Sequence, residues 1–169
     1  VEFVATATIG IDHLDTEWLD EAGIHWVNCP GCNASSVGQY IETSLMRLGI
    51  TSGAVVGIVG CGHVGKEVEI VCERLGLETI INDPYIDDHS YVSLEEVVKH
   101  ADVITFHVPL TYKGEYPTYK MADRRFFDML SDRERPLECI INTCRGGVID
   151  EQALLDAMDA GIVKRAVID

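Results

Sequence analysis

Positive charge is scarce in this chain: 13 lysine and arginine residues stand against 28 aspartate and glutamate residues, a formal net charge of −15 over 169 residues. The acidic residues are spread along the chain, and no segment resembles a basic patch. Binding to nucleic acids and to anionic membrane surfaces depends on such patches. The composition therefore argues against a nucleic-acid or membrane partner.

Long apolar runs are also lacking. No run approaches the roughly 20 residues that a helix needs to cross a bilayer. Hydrophobic residues still make up 47% of the sequence, which is enough for the core of one domain. The chain opens on a strand-like run at 1–4 and ends just after another at 166–168. We therefore expect an internal fragment of a longer protein.

The six cysteines give little sign of a disulfide or metal framework. Cys29 and Cys32 form a CxxC pair, which is typical of a dithiol redox centre or of half a zinc site. A zinc site needs a second pair, and Cys139 and Cys144 have the wrong spacing for one, so we expect no metal. The other thiols resemble small apolar fillers of a reduced protein, which predicts a cytoplasmic location.

Short apolar runs alternate with amphipathic segments along the chain. This alternation predicts an α/β fold with a doubly wound parallel sheet. The expected strands are 2–8, 25–29, 55–59, 78–83, 103–107, 139–141 and 166–168, and the expected helices lie near 15–22, 32–48, 63–76, 93–100, 123–130 and 151–160. No internal repeat or low-complexity segment interrupts the pattern.

One of these strand-to-helix junctions carries the motif Gly60-Cys61-Gly62-His63-Val64-Gly65. In a dinucleotide-binding unit, Gly60 would allow the tight turn, Gly62 the approach of a pyrophosphate, and Gly65 close packing of helix on strand. Asp83 follows the next strand at the expected offset of about twenty residues. An acid there accepts hydrogen bonds from ribose hydroxyls and repels a 2′-phosphate, so the motif favours NAD over NADP.

A second junction places an arginine after a buried strand, in Asn142-Thr143-Cys144-Arg145-Gly146-Gly147-Val148. Asp150 can cap the helix that follows. Ligands of open α/β sheets bind at the carboxyl ends of the strands. The planar guanidinium of Arg145 suits a carboxylate held by two parallel hydrogen bonds.

Together these segments resemble the D-isomer-specific 2-hydroxyacid dehydrogenases, over essentially the whole chain. The resemblance rests on the glycine motif with Asp83, on 105–110, on 142–150 and on the terminal Asp169. Two further segments, Ala5–His13 and Pro30–Ala34, resemble a branch that oxidises a phosphorylated 2-hydroxy acid in the synthesis of pyridoxal 5′-phosphate.

The resemblance implies a Rossmann-like NAD-binding domain, incomplete at its C-terminal side, at 38–169. It also implies part of a flavodoxin-like substrate domain at 1–37. The whole protein would be an NAD-dependent oxidoreductase and a homodimer. The family's catalytic glutamate and histidine would lie beyond Asp169, and its phosphate-binding groups before Val1, so the fragment alone should be inactive.

By the same resemblance, Arg145 is the catalytic arginine that grips the substrate carboxylate, and Thr8 contacts the substrate. His63 and Val64 lie over the cofactor pyrophosphate. The other residues that the resemblance assigns to cofactor binding are Gly60, Gly62, Gly65, Asp83, Val108, Thr143, Cys144 and Asp169. His107 looks catalytic, but the resemblance places it on a strand beside the cofactor.

Three alternatives stay open at this point. The protein could be another 2-hydroxyacid dehydrogenase, such as a phosphoglycerate dehydrogenase. It could be a non-catalytic NAD-binding module, as the fold permits. It could also be a thiol redox protein that uses Cys29 and Cys32, which would require a depressed thiol pKa at that pair.

Overall fold

The computed structural model describes residues 1–11 and 13–169. Asp12, within the run 5–13 that carried part of the resemblance, lies outside the described residues. The strands are β1 (Phe3–Ala5), β2 (His25–Val27), β3 (Val55–Val59), β4 (Glu78–Asn82), β5 (Val103–Phe106), β6 (Cys139–Asn142) and β7 (Ala166–Ile168). The helices are α1 (Thr16–Glu21), α2 (Ala34–Arg47), α3 (His63–Leu75), α4 (Leu94–His100), α5 (Arg124–Ser131) and α6 (Glu151–Asp159).

Five parallel strands form the main sheet, in the order β4-β3-β5-β6-β7. The chain leaves β3 toward β4 on one side and then returns to form β5 on the other side. The order therefore reverses between β3 and β5, which is where open α/β sheets bind their ligands. This arrangement confirms the predicted doubly wound parallel fold.

Helices cover both faces of the main sheet, so its strands are almost continuously apolar. On one face Ile41 of α2 and Val68 of α3 pack with Ile58 in a shared buried cluster. On the other face Val97 of α4 and Phe126 of α5 pack in a second buried cluster with residues of β5. Alternate residues of each strand point to opposite faces, so both clusters draw on the same strands.

The sequence pattern predicts helix caps at Asp15 or Thr16, at Ser93 and at Asp150, and the structure has caps at Asp15, Ser93 and Asp150. Asp15 and Ser93 accept hydrogen bonds from the first turns of α1 and α4. Asp150 does the same for α6, and Asp123 caps α5, where no cap was predicted. Gly76 ends α3 in the left-handed conformation, at a φ of 69°, where a glycine is favoured.

The first part of the chain forms a separate two-stranded parallel sheet of β1 and β2. These strands are shorter than the predicted 2–8 and 25–29, and the burial of β1 and β2 is partial. The amphipathic patterns of α1 and α2 predict that Trp18, Ala22 and Tyr40 face inward, but all three are exposed. All three inward assignments were wrong; for Trp18 and Ala22 the reason is that two short strands and the short helix α1 offer little surface to bury them.

The predicted division of the chain between residues 37 and 38 falls inside α2. Helix α2 packs against α3, where a Cβ added at Gly38 would lie 3.2 Å from Cβ of Glu67. The division into two domains stays a prediction. Among the described residues no helix has the length and apolarity that a membrane span requires.

Candidate functional site

A cleft of about 890 Å³ opens at the carboxyl edge of the main sheet, where the strand order reverses. Four of the predicted cofactor-binding residues line it: Gly60, Gly62, Asp83 and Val108. Gly60 and Gly62 follow β3, Asp83 follows β4, and Val108 follows β5. Three separate strand ends therefore bring these residues to one place.

Two glycines of the motif are required by close contacts inside the protein. A Cβ added at Gly65 would lie 2.2 Å from the carbonyl oxygen of Gly60, a distance that no side chain can occupy. Gly60 itself has a φ of 89°, and its added Cβ would lie 2.7 Å from the carbonyl oxygen of His107. Both residues let α3 and β5 approach the loop closely.

Gly62 is different, because a Cβ added there would meet no described atom within 4 Å. Gly62 precedes α3, and no described side chain caps that end of the helix. The first N–H groups of a helix bind anions through their hydrogen bonds and the helix dipole. An open glycine before an uncapped helix end fits the pyrophosphate of a dinucleotide.

His63 and Val64 open α3 at this end. The His63 ring is exposed and lies beside the turn at Gly31, where an added Cβ would be 2.8 Å from its Cδ2 atom. Val64 is half-buried against the cluster beneath α3. His63 is thus positioned where α3 meets the 28–33 loop, while Val64 mainly packs.

Asp83 is held in place by two backbone hydrogen bonds. Its Oδ2 atom accepts from the Cys61 N–H at 2.8 Å, and its Oδ1 atom accepts from the Tyr85 N–H at 3.1 Å. The first bond ties the carboxylate directly to the glycine loop. The geometry therefore agrees with a carboxylate that binds a ribose next to the pyrophosphate site.

His107 follows β5 at the floor of the cleft. Its Nε2 atom lies 2.9 Å from Thr105 Oγ1, and burial lowers the pKa of the ring to about 4. The ring is therefore neutral at pH 7. Its burial and its bond to Thr105 agree with the expected position of His107 on a strand beside the cofactor.

The arginine turn, residues 142–150, lies at the same edge of the sheet. Asn142 is buried at the end of β6. Its side-chain amide accepts from the Cys144 N–H at 3.1 Å and donates to the Arg145 carbonyl at 2.9 Å. One buried amide thus braces the backbone on both sides of the turn that carries Arg145. The side chain was not among the predicted site residues.

Arg145 is partly buried, and its Nη1 atom donates to the Cys144 carbonyl at 2.8 Å. Beside it, Thr143 Oγ1 is buried without a hydrogen-bond partner among the described residues. The pKa of the Cys144 thiol is raised by burial. A buried hydroxyl of this kind calls for a partner, and the contact of Thr143 with the cofactor stays a prediction.

No described residue of the arginine turn lines the cleft, but residues 118–122 connect the two, because Thr118 and Met121 line the cleft and Lys120 contacts the turn. Lys120 has a left-handed φ of 51°, and its N–H donates to the Gly147 carbonyl at 2.7 Å. Its ammonium group lies 2.9 Å from Asp150, the residue that caps α6. A side chain rarely adopts this φ without such compensation.

Two other predicted site residues, Asp169 and Thr8, do not line the cleft. The Asp169 N–H donates to the Asn142 carbonyl at 3.1 Å, so Asp169 shares the sheet edge with the arginine turn. Thr8 lies beyond the end of β1, and its hydroxyl donates to the Gly10 carbonyl at 2.7 Å. Thr8 is exposed, and its carbonyl accepts from the Cys29 N–H.

The Cys32 thiol of the CxxC pair is not activated. The Cys32 N–H donates to the Cys29 carbonyl around a turn with Gly31 at a φ of 80°. The pKa of Cys32 is raised, by desolvation and by its contact with the Cys29 thiol. A nucleophilic dithiol needs the opposite shift. Among the described residues no cluster of His, Cys, Asp or Glu has the arrangement of a metal site.

Sequence reasoning also missed the outer wall of the cleft. Tyr85 follows Asp83, and Tyr116 lies in the polar segment 111–119 between β5 and α5. No local motif marked this segment. The single available signal was its density of aromatic residues, with tyrosines at 112, 116 and 119.

Comparison with known proteins assigns the class. Residues 33–169 match the family model for the D-isomer specific 2-hydroxyacid dehydrogenase, NAD binding domain. The chain belongs to this family, and NAD is the cofactor of its main domain.

Curated relatives carry a more specific name. The chain is 45% identical over 178 residues to the erythronate-4-phosphate dehydrogenase of Bacteroides fragilis, with all of this chain and 50% of the relative covered. It is 40% identical to the enzyme of the same name from Porphyromonas gingivalis, with all of this chain and 47% of the relative covered. The chain thus spans about half the length of the curated relatives it matches.

Solved structures share the fold. The NAD⁺-bound 3-phosphoglycerate dehydrogenase of Entamoeba histolytica superposes with a TM-score of 0.81 at 27% identity, covering all of this chain and 57% of that one. The apo D-lactate dehydrogenase of Escherichia coli superposes with a TM-score of 0.83 at 23% identity, covering all of this chain and 60% of that one. The similarity to the D-lactate dehydrogenase, at 23% identity, shows only that the fold is shared.

Proposed function

We propose that this chain is the NAD-binding part of an erythronate-4-phosphate dehydrogenase. The whole protein would oxidise 4-phospho-D-erythronate at C2 to the 2-oxo acid, within the synthesis of pyridoxal 5′-phosphate. The observation that carries this proposal is the 40–45% identity to enzymes of that name over the entire chain. The identity to a 3-phosphoglycerate dehydrogenase of known structure is lower, at 27%.

In this proposal the glycine loop at 60–65 binds the cofactor, and the arginine turn at 142–150 carries the residue that binds the substrate. Bound NAD supplies a carbon that accepts a hydride. Gly62 and the start of α3 would hold its pyrophosphate, and Asp83 its ribose. Val108, Thr143, Cys144 and Asp169 would line the adenosine and nicotinamide sides.

Arg145 would bind the substrate carboxylate with two parallel hydrogen bonds and stabilise negative charge that develops on the C2 oxygen. Asn142 would hold the Arg145 backbone in position through its buried amide. Thr8 would also contact the substrate. A glutamate–histidine pair outside this chain would accept the hydroxyl proton, the histidine acting as the base. The proposal also places the protein in the cytoplasm as a homodimer.

The test is a direct competition in the full-length protein. NADH formation is followed by absorbance with 4-phospho-D-erythronate and, separately, with 3-phosphoglycerate. We expect kcat/KM for the four-carbon acid to be higher by at least about 100-fold, or about 2.7 kcal/mol. A preference for 3-phosphoglycerate would reassign the substrate. NADH binding without turnover of any 2-hydroxy acid would favour a non-catalytic module.

A further inference from the structure

Two tyrosines meet across the mouth of the cleft, one from each wall. The ring centroids of Tyr85 and Tyr116 are 5.5 Å apart, and the ring planes are inclined at 87°. This edge-to-face geometry is favourable for aromatic pairs. Yet Tyr85 is 69% exposed and Tyr116 is 45% exposed, and both line the cleft. The pair therefore presents apolar ring surface that a planar ligand could cover.

The wall that carries Tyr116 is a loop with a fixed base. The N–H groups of Thr118 and Tyr119 both donate to the Thr111 carbonyl, at 3.1 and 2.9 Å. The Thr111 N–H donates in return to the Thr118 hydroxyl at 2.8 Å. Between these ends every residue from 112 to 117 is exposed. The base of the loop is thus held firmly by hydrogen bonds, while its exposed tip meets the opposite wall through the Tyr116 ring.

The opposite wall is anchored to the ribose acid. The Tyr85 N–H donates to Asp83, which in turn accepts from the glycine loop. A Cβ added at Gly114, in the loop tip, would lie 3.7 Å from the Tyr85 hydroxyl. The two walls are therefore in contact at the mouth, at a fixed position relative to the pyrophosphate and ribose sites.

Charge indicates which part of the cofactor belongs at the mouth. Asp83, Asp88 and Glu115 all line this cleft, and their charges disfavour a phosphate at that end. NAD carries an uncharged, planar adenine on the ribose that Asp83 would bind. With the pyrophosphate at Gly62 and this ribose at Asp83, the adenine extends toward Tyr85 and Tyr116.

We propose that Tyr85 and Tyr116 form a clasp that closes on the adenine of NAD and slows the release of the cofactor. The inference rests on the proposed function only in that it requires NAD in this cleft. Stacking on an aromatic ring contributes free energy whatever hydrogen bonds the adenine makes. The ring faces, and not the hydroxyl groups, would do the binding.

The test uses the full-length protein and NADH fluorescence, with release measured by stopped-flow displacement. Tyr116→Ala and Tyr85→Ala should each raise Kd and the release rate of NADH by about tenfold or more. Tyr116→Phe and Tyr85→Phe should stay close to the wild type. Unchanged Kd and release rates in both alanine variants would overturn the clasp.

Tyr112→Ala is the matched control. Tyr112 lies in the same loop and is 68% exposed, but its ring pairs with Tyr119, with centroids 4.9 Å apart. It is not among the described residues that line the cleft. We expect wild-type NADH binding from this variant. An effect as large as that of Tyr116→Ala would mean that the loop, and not the clasp, matters.

The two halves of the cofactor supply a second readout. Tyr116→Ala should weaken binding of AMP by the same factor as NADH and leave nicotinamide mononucleotide unaffected. Equal weakening of both halves would overturn the clasp, because it would indicate a distorted cleft. Failure of the wild-type protein to bind NADH at all would instead overturn the proposed function, so the two failures are distinguishable.

Discussion

The glycine loop at 60–65 and the arginine turn at 142–150 perform similar tasks in opposite ways. Each follows a buried parallel strand, lies at the carboxyl edge of the same sheet and leads into a helix. The glycine loop is shaped by missing side chains, which let Gly60 and Gly65 approach within contact distance. The arginine turn is shaped by side chains that are present, above all Asn142 and Asp150.

The difference follows from the groups that each junction would bind. Phosphates are bound by backbone N–H groups at a helix start, which requires that no side chain intervene. A carboxylate is bound by a guanidinium fork, which requires that a side chain be held in one orientation. Substitutions in the glycine loop should therefore impair cofactor binding, and substitutions in the arginine turn should impair turnover.

The largest effect should come from Arg145→Ala in the full-length enzyme. Loss of the guanidinium should lower kcat/KM by about 10³-fold, because charge on the C2 oxygen and the substrate carboxylate both lose their partner. The NADH Kd should change by less than about threefold. Steady-state kinetics and fluorescence titration measure the two quantities separately.

Arg145→Lys is the control for charge alone, and it should recover a minor part of the rate, since lysine lacks the planar fork. An equal loss of turnover and NADH affinity in Arg145→Ala would contradict the assigned role.

Gly65→Ala should break the glycine loop itself. The new methyl group would collide with the Gly60 carbonyl, which directly follows the last residue of β3. We expect a loss of about 3 kcal/mol in the free energy of unfolding, together with loss of NADH binding. Chemical denaturation and fluorescence titration provide the measurements.

Gly62→Ala separates folding from binding at the same loop. Its methyl group would enter open space, so Tm should hardly change while NADH affinity falls by about tenfold or more. A variant that bound NADH normally would show that the pyrophosphate lies elsewhere.

His107 lies between the two junctions and should make stability depend on pH. Its folded pKa of about 4 lies below the ordinary histidine pKa of 6.5, so the unfolded chain binds more protons between these values. Stability is therefore lost as pH falls from about 6.5 to about 4, by roughly 2–3 kcal/mol. Urea unfolding of the wild type and of His107→Gln across this range measures the contribution, and parallel curves would exclude it.

The smallest effect should come from Asn142→Ala. The variant loses both hydrogen bonds that brace the arginine turn, which should cost about 1–2 kcal/mol of stability. As a positioning residue, Asn142 should affect kcat more than NADH binding. Asn142→Asp keeps the acceptor for the Cys144 N–H and should restore part of the stability. A fall in NADH affinity as large as the fall in kcat would argue for general disruption.

The sequence predicted those features that depend on neighbouring residues. The glycine loop, the caps at Ser93 and Asp150, and the alternation of strands and helices all follow from local patterns, and the structure confirms them. The assignment to the family was also confirmed. The roles of individual site residues remain predictions, although Gly60, Gly62, Asp83 and Val108 do meet in one cleft.

Features that depend on distant contacts were not predictable in this way. The brace by Asn142 depends on the turn beyond β6, and a short 3-10 helix at Gly146–Val148 forms where only a turn was expected. The left-handed Lys120 is stabilised by Gly147 and Asp150, both far along the chain. Periodicity and propensity contain no information on such pairs.

The two hydrogen bonds to Asp83 have a thermodynamic consequence for the order of events. The carboxylate is oriented by the N–H groups of Cys61 and Tyr85 in the protein alone. Its conformational entropy is therefore lost during folding, and not when the cofactor arrives. Each oxygen of a carboxylate has two lone pairs, so one bond to each leaves acceptor capacity for the ribose hydroxyls. Asp83 is thus a preorganised acceptor, which lets more of the binding energy appear as affinity.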